Sequence, residues 1–195
     1  MPITQIDPVA ALIVIDLQKG LASIPTNPPL SEVVANSAKL AAAFRSRNLP
    51  VVLVNVAGRA PGRTDTPRST QAFPPDFADL LPELDVQPSD ILITKHCPGA
   101  FLGTALDEEL KKRNVTQVIL TGVATGNGVE ASARSAHDLG YNLAFIADAM
   151  TDPSAEAHAF NIHKVFPRIG EVDTTANTLK LLESERTTKI MHPPS

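Results

Sequence analysis

The chain of 195 residues has no tryptophan, one tyrosine and one cysteine, and each shortage removes a class of protein. With Cys97 alone, no intrachain disulfide can brace the fold. Stability must come from a packed core, and the usage suits a reducing compartment. Positive charge is not in excess: the formal net charge is -4, and no dense basic block is present, which excludes the electrostatic footprint of a nucleic-acid binder. Long apolar runs are also missing. "MPITQIDPVAALIVIDLQKG" lacks a basic lead-in and its apolar stretch is broken by Asp16, so it reads as neither signal peptide nor membrane span. The expectation is a soluble, cytoplasmic protein with no nucleic-acid or membrane partner.

What is present is an ordinary core. Apolar residues make up 43% of the chain, and no internal repeat or shift of composition marks a boundary, so residues 1–195 read as one domain. Five short aliphatic runs recur: "ALIVIDL" (11–17), "PVVLVNV" (50–56), "ILITK" (91–95), "QVILTGV" (117–123) and "NLAFIAD" (142–148). None alternates apolar with polar residues, so each is expected to be a strand buried on both faces, as in a parallel sheet covered by helices.

Helical patterns lie between them. "SEVVANSAKLAAAFRSRN" offers Ser31 as an N-cap and turns Val34, Leu40, Ala41 and Phe44 to one side. "TALDEELKKRN" carries acid first and base last, as the helix dipole favours, and "VEASARSAHDLG" stops at Gly140. Further helices are expected over "SAEAHAFNIHKVFP" and "TANTLKLLESE", with "GEVDTT" between them as an edge strand. The alternation predicts a three-layer α/β/α sandwich with a mostly parallel, Rossmann-like sheet. Residues 58–77, rich in proline, form a long irregular stretch of the kind used as a lid or binding loop, and residues 184–195 read as a loose or subunit-contacting tail.

In such a sheet the ligand site lies beyond the carboxyl ends of the strands. That rule gathers Asp16, Asn55, Lys95, residues 123–128, Asp148 and the 58–77 loop. An aspartate closing an apolar strand is costly to bury alone, and Lys95 is the plausible counter-charge. The pair suits either proton transfer in a partly dry cleft or a purely structural ion pair. Within "TGVATGNGVEASAR" the glycines at 126 and 128 serve close helix–strand packing, backbone contacts to an anion at the helix start, or both.

Three segments carry a resemblance to the isochorismatase-like hydrolases, a family that includes nicotinamidases and carbamoylsarcosine amidohydrolases. They are "LIVIDLQKG", "ITKHCPGAFLGTAL" and "ILTGVATGNGVEASARSAHDLGYNLAFIADAMTD". The resemblance implies a six-stranded sheet and a catalytic Asp16 and Lys95. It also implies a nucleophile position at residue 128, where the family's amidases have cysteine and this chain has Gly128. Thioester chemistry at that position is therefore impossible. A cis Val123–Ala124 peptide is implied too, aiming the amides of Ala124 and Gly128 at an oxyanion.

Members that work without this cysteine hydrolyse the vinyl ether of isochorismate, releasing pyruvate. The resemblance thus implies a cysteine-independent, acid-catalysed hydrolase of a small anionic metabolite. Arg63, Asn55, Phe101, Thr125 and Asn127 are the candidate substrate contacts. Arg59 and Arg68 share the loop with Arg63, either as carboxylate forks or as solvated charges. Two other readings stay open: an amidase acting through activated water or Cys97, and a silent small-molecule binder. Cys97 otherwise reads as a structural thiol, and His96 as a loop residue. His158 and His163, five apart, do not form a one-face pair and read as surface or interface residues. The family's nicotinamidases bind zinc through an Asp-x-His element after the second strand; the corresponding "VNVAG" here supplies Asn55 and no histidine, so no metal is expected, and no organic cofactor either. The family implies a homodimer or homotetramer.

Overall fold

The aliphatic runs and the short segment near residue 172 become six strands: β1 (Ala10–Ile15), β2 (Val51–Val56), β3 (Ile91–Lys95), β4 (Gln117–Val123), β5 (Asn142–Thr151) and β6 (Glu171–Asp173). The structure, a computed structural model, describes residues 2–66 and 71–191. The strand order is β3-β2-β1-β4-β5-β6, and every adjacent pair is parallel. This is the doubly wound α/β/α arrangement, with the order reversing between β1 and β4.

Five helices cover the sheet: α1 (Leu30–Arg45), α2 (Leu106–Lys112), α3 (Glu130–Asp138), α4 (Ala155–Phe160) and α5 (Thr175–Met191). Burial on both faces follows from the unalternated strands. In β1, Ala11, Ile13 and Ile15 join one core with Leu106, Leu110, Ala133 and Ala136, while Ala10, Leu12 and Val14 join the other with Leu40, Phe44 and Leu182. Leu40 and Phe44 are fully buried, and truncating either to alanine costs about 2–5 kcal/mol. Among the described residues no helix is long and apolar enough to cross a membrane.

Several details depart from the sequence expectation. Helix α1 begins at Leu30 with Pro29 in the cap position, so Ser31 sits inside the first turn and caps nothing. Pro29 arrives with its φ already fixed near the helical value and, at the helix end, loses nothing by lacking an N–H. Strand β3 alternates: Ile91, Ile93 and Lys95 are buried, whereas Leu92 is 60% exposed, because β3 is an edge strand that α1 does not reach across. The segment read as one late helix is α4 followed by a π-helical turn at Asn161–Val165 and a 3-10 turn at Phe166–Arg168. Helix α5 carries the backbone through Met191, into the segment read as a tail.

Strand β5 is longer than its apolar run suggests and shifts register against β4 between Leu120 and Gly122. Asp148 is therefore inside the strand rather than at its end. Its Oδ1 accepts hydrogen bonds from the Thr175 N–H (2.7 Å) and hydroxyl (2.9 Å), and so ties down the start of α5. The residue that reaches the carboxyl end of β5 is Asp152.

Candidate active site

Where the site forms, the backbone of β4 leaves no room for a side chain facing β1. Gly122 has φ +117, and a Cβ there would lie 2.0 Å from the Ile15 carbonyl oxygen, so only glycine fits. One residue beyond Ile15, Asp16 adopts φ +54 and donates its N–H to Val54 O at 2.8 Å. This tight turn points the carboxyl over the ends of β1 and β4.

Lys95 leaves the end of β3, passes over β2 and meets Asp16, with Nζ 2.8 Å from Oδ2. Both residues are almost fully buried, at 1% and 5% exposure. A second Lys95 donor reaches Cys97 O at 3.2 Å. Burial pushes the Asp16 carboxyl up to about 6, although the adjacent ammonium pulls it down by charge and by hydrogen bonding. The other carboxyl oxygen, Oδ1, has no hydrogen-bond partner among the described residues. Oδ1 is buried as well as unpartnered, so the raised carboxyl, which lines the cavity, can give or take a proton only with a group packed closely against it.

Past β4, the chain makes a π-helical turn at Thr125–Val129 before entering α3. The Val123–Ala124 peptide is cis. Gly128 packs directly on the carboxyl: a Cβ placed there would lie 3.1 Å from Asp16 Oδ2, 3.2 Å from Ile15 Cγ2 and 3.2 Å from Val123 O. On the far side the turn is held by polar side chains. Asp152 Oδ2 accepts the Gly126 N–H at 2.8 Å, and its Oδ1 accepts the Ser154 N–H at 2.9 Å. Thr125 Oγ1 and His158 Nδ1 are 2.8 Å apart. Burial pushes the His158 imidazole below its usual range, against the opposing pull of Asp152. The Ser132 hydroxyl donates to Gly128 O (2.7 Å) and accepts the Ala100 N–H (3.0 Å), which fastens the turn to the loop after β3.

These elements enclose a cavity of about 540 Å³. Asp16, Lys95, Ala124, Asn127 and Gly128 line it, as do Cys97 and Arg59. Four candidates do not. Asn55 spends its amide on Ala78 O (2.7 Å), pinning the loop after β2. Phe101 belongs to the core, 6.1 Å from the Tyr141 ring. Thr125 is fully buried behind the turn. Arg63 is exposed on the loop away from the cavity; Arg59, four residues earlier, is the arginine at its mouth. Arg68 lies outside the described residues. His158, expected on a surface, instead supports the turn.

Cys97 is half-buried, with Sγ 3.4 Å from Gly99 O and 3.7 Å from Leu102 O. Among the described residues no three His, Cys, Asp or Glu side chains converge as a metal site would require. The residues that sequence reasoning missed are Asp152, Ser132, Phe73 and Phe77. For Asp152 a signal existed: "DPS" before a helical pattern marks both the strand end and the cap at Ser154, whose hydroxyl accepts the Ala157 N–H at 3.1 Å.

The sequence matches the isochorismatase domain over residues 10–177. It is 41% identical over 177 residues to YwoC of Bacillus subtilis, an uncharacterized isochorismatase family protein, covering 87% of this chain and 92% of that protein. It is 28% identical over 202 aligned positions to the ureidoacrylate amidohydrolase RutB of Pseudomonas syringae, covering 86% and 82%. Among solved structures, an isochorismatase family protein from Burkholderia thailandensis superposes with a TM-score of 0.88 at 40% identity, over 92% of this chain and 98% of that one.

Proposed function

This chain belongs to the isochorismatase family of hydrolases, and we propose that it hydrolyses a small anionic metabolite by proton transfer from Asp16, without a covalent intermediate. The vinyl ether of isochorismate is the type case. The observation that carries this reading is the state of Asp16: a carboxyl raised to about 6, with Oδ2 held by Lys95 and Oδ1 unshared, beside a residue 128 that has no side chain.

In the proposed reaction the Asp16 carboxyl protonates the methylene carbon of an enol ether. The ether oxygen stabilises the resulting oxocarbenium ion, and water adds to it. That water returns its extra proton to the Asp16 carboxylate, and the hemiketal breaks its C–O bond to give a ketone, pyruvate in the type case, and an alcohol. Lys95 fixes the carboxyl and offsets the negative charge that Asp16 carries after donation. The amides of Ala124 and Gly128, in the turn that leads into α3, are the proposed donors to developing oxygen charge.

Incubation with isochorismate and a lactate dehydrogenase-coupled pyruvate assay tests the reading. Pyruvate release that is abolished by Asp16→Asn and retained by Cys97→Ala supports it, whereas an acyl adduct on Cys97 detected by mass spectrometry sinks it. A second reading, amide hydrolysis, draws on one observation: the Cys97 thiol lines the same cavity. The amidohydrolase relative adds to it. Ammonia release from small amides, lost in Cys97→Ala, is its signature. Ligand-dependent melting shifts with no turnover would instead leave a silent binder.

A further inference from the structure

Behind the turn, α4 and the residues flanking it pack tightly on Thr125 and Gly126. A Cβ on Gly126 would lie 3.1 Å from Asn161 Nδ2, 3.3 Å from Asp152 Oδ2 and 3.4 Å from Ala157 Cβ. Thr125 is fully buried, and among the described residues its hydroxyl has one partner, His158 Nδ1 at 2.8 Å. A hydroxyl carries one hydrogen, and a buried one left without an acceptor is costly. An imidazole nitrogen accepts a hydrogen bond only when it bears no proton. The Thr125 hydroxyl is therefore satisfied as a donor in a single state of the ring: uncharged, with the hydrogen on Nε2. In the other neutral tautomer, and in the imidazolium, an Nδ1–H points at Oγ1 and the Thr125 hydrogen has no acceptor.

The surroundings favour the same state. Burial works against a charged ring, Asp152 works for it, and His163 in the next turn works against it. The turn at Thr125–Val129 carries no titratable side chain, and Glu156 and Lys164 lie on the same helical run as His158. Thr125 sits between Ala124 and Gly128, whose amides are the proposed donors to oxygen charge. We propose that His158 is a positioning residue: its uncharged ring accepts the Thr125 hydroxyl through Nδ1 and so holds the 124–128 backbone in place against Asp16. When the ring gains a second proton, the Thr125 hydroxyl loses its acceptor and the turn loosens. Acid thus weakens the amide donors even as it protonates Asp16, so hydrolysis has an acid limb set by His158 beside the alkaline limb set by Asp16. The direction of the Thr125–His158 bond stands independently of the reaction; its effect on rate rests on the proton-transfer reading above.

Nitrogen-15 spectra of the full-length protein, recorded from about pH 4 to about pH 8, test the proposal. At neutral pH the His158 ring is expected to carry its hydrogen on Nε2. In an Asp16→Asn background, where that carboxyl no longer titrates, the amide signals of Thr125, Gly126 and Gly128 move with the same midpoint as the ring. Thr125→Val keeps the shape and removes the hydroxyl, so His158 then titrates at higher pH. His158→Asn offers a carbonyl that accepts the Thr125 hydroxyl at every pH, and the acid movement of the amides disappears. In the pyruvate assay, kcat/KM falls about tenfold on the acid side in wild type and keeps its plateau in His158→Asn. A ring with hydrogen on Nδ1, amides that ignore the ring, an unchanged midpoint in Thr125→Val or an equal acid limb in His158→Asn overturns the proposal. Any of these leaves the Asp16 reading standing. Turnover that survives Asp16→Asn, with the ring signals as expected, instead overturns the proton-transfer reading and supports this one.

Discussion

Asp16 and Asp152 approach the turn at 124–129 from opposite sides, both more than nine-tenths buried, yet their surroundings differ in kind. Asp152 is satisfied by backbone: the Gly126 and Ser154 N–H groups take one oxygen each. Asp16 has a single side-chain cation on one oxygen, nothing on the other, and a cavity beside it. A carboxylate whose two oxygens each accept a fixed amide N–H is held in place, so it shapes the backbone around it. A carboxyl left half-satisfied in a desolvated corner has a proton affinity open to adjustment. The difference fits a scaffold role for Asp152 and the proton-transfer role proposed for Asp16.

The largest way to break that contrast is at Asp16 itself. Asp16→Asn is expected to lower hydrolysis of a turned-over substrate by at least about a thousandfold, with the circular dichroism spectrum retained, because asparagine cannot deliver the proton. A loss below about tenfold would place the chemistry elsewhere. Next comes pH. A proton donor that titrates near 6 makes kcat/KM fall about tenfold per unit above that value, whereas a carboxylate acting as base would make the rate rise through it. The same shift governs stability. The folded state holds the Asp16 proton more firmly than the unfolded chain, so stability falls as pH rises from about 4 to about 6, by roughly 2–3 kcal/mol in total. Urea titrations across that range should show the slope in wild type and lose it in Asp16→Asn.

On the other side, Asp152→Ala orphans the Gly126 N–H and should cost about 1–3 kcal/mol in urea unfolding, with Asp152→Asn recovering most of it because its carbonyl can still accept. Gly128→Ala probes the contact between turn and carboxyl. The atoms a methyl would meet are pinned by Lys95, by the core and by backbone, so a loss of about 1 kcal/mol is expected by thermal melting. The smallest effect belongs to Cys97→Ala, which should leave kcat/KM within about twofold, since a thiol bonded weakly to two carbonyls does no work in proton transfer.

The layered fold was readable because runs such as "LIVI" and "VILTGV" leave no polar face, which only a sheet covered on both sides allows. Asp16 and Lys95 were readable as types, but their meeting was not. They are 79 positions apart in sequence, and only the strand order puts β3 within reach of β1 across β2. The loop contacts were less legible for the same physical reason. Whether Arg59 or Arg63 faces the cavity depends on how Phe73, with the Arg59 guanidinium over its ring, stacks on Phe77 and Phe77 on Gly20, a long-range contact without a local pattern. Phe101 and Asn55 went to core and loop anchoring because aromatic burial and backbone satisfaction compete for the residue types that also bind ligands. Asp148 and Asp152 exchanged places through a register shift that the apolar run does not encode.

The contact at Gly122 has a bearing on attempts to broaden the protein's scope. Since any side chain at residue 122 would run into the Ile15 carbonyl, the floor beneath the Asp16 carboxyl cannot be widened or lowered by substitution at that position. Libraries aimed at bulkier molecules would do better to vary the wall at Phe73 and Phe77 and the loop carrying Ile24, where the protein can give way without prying its two central strands apart.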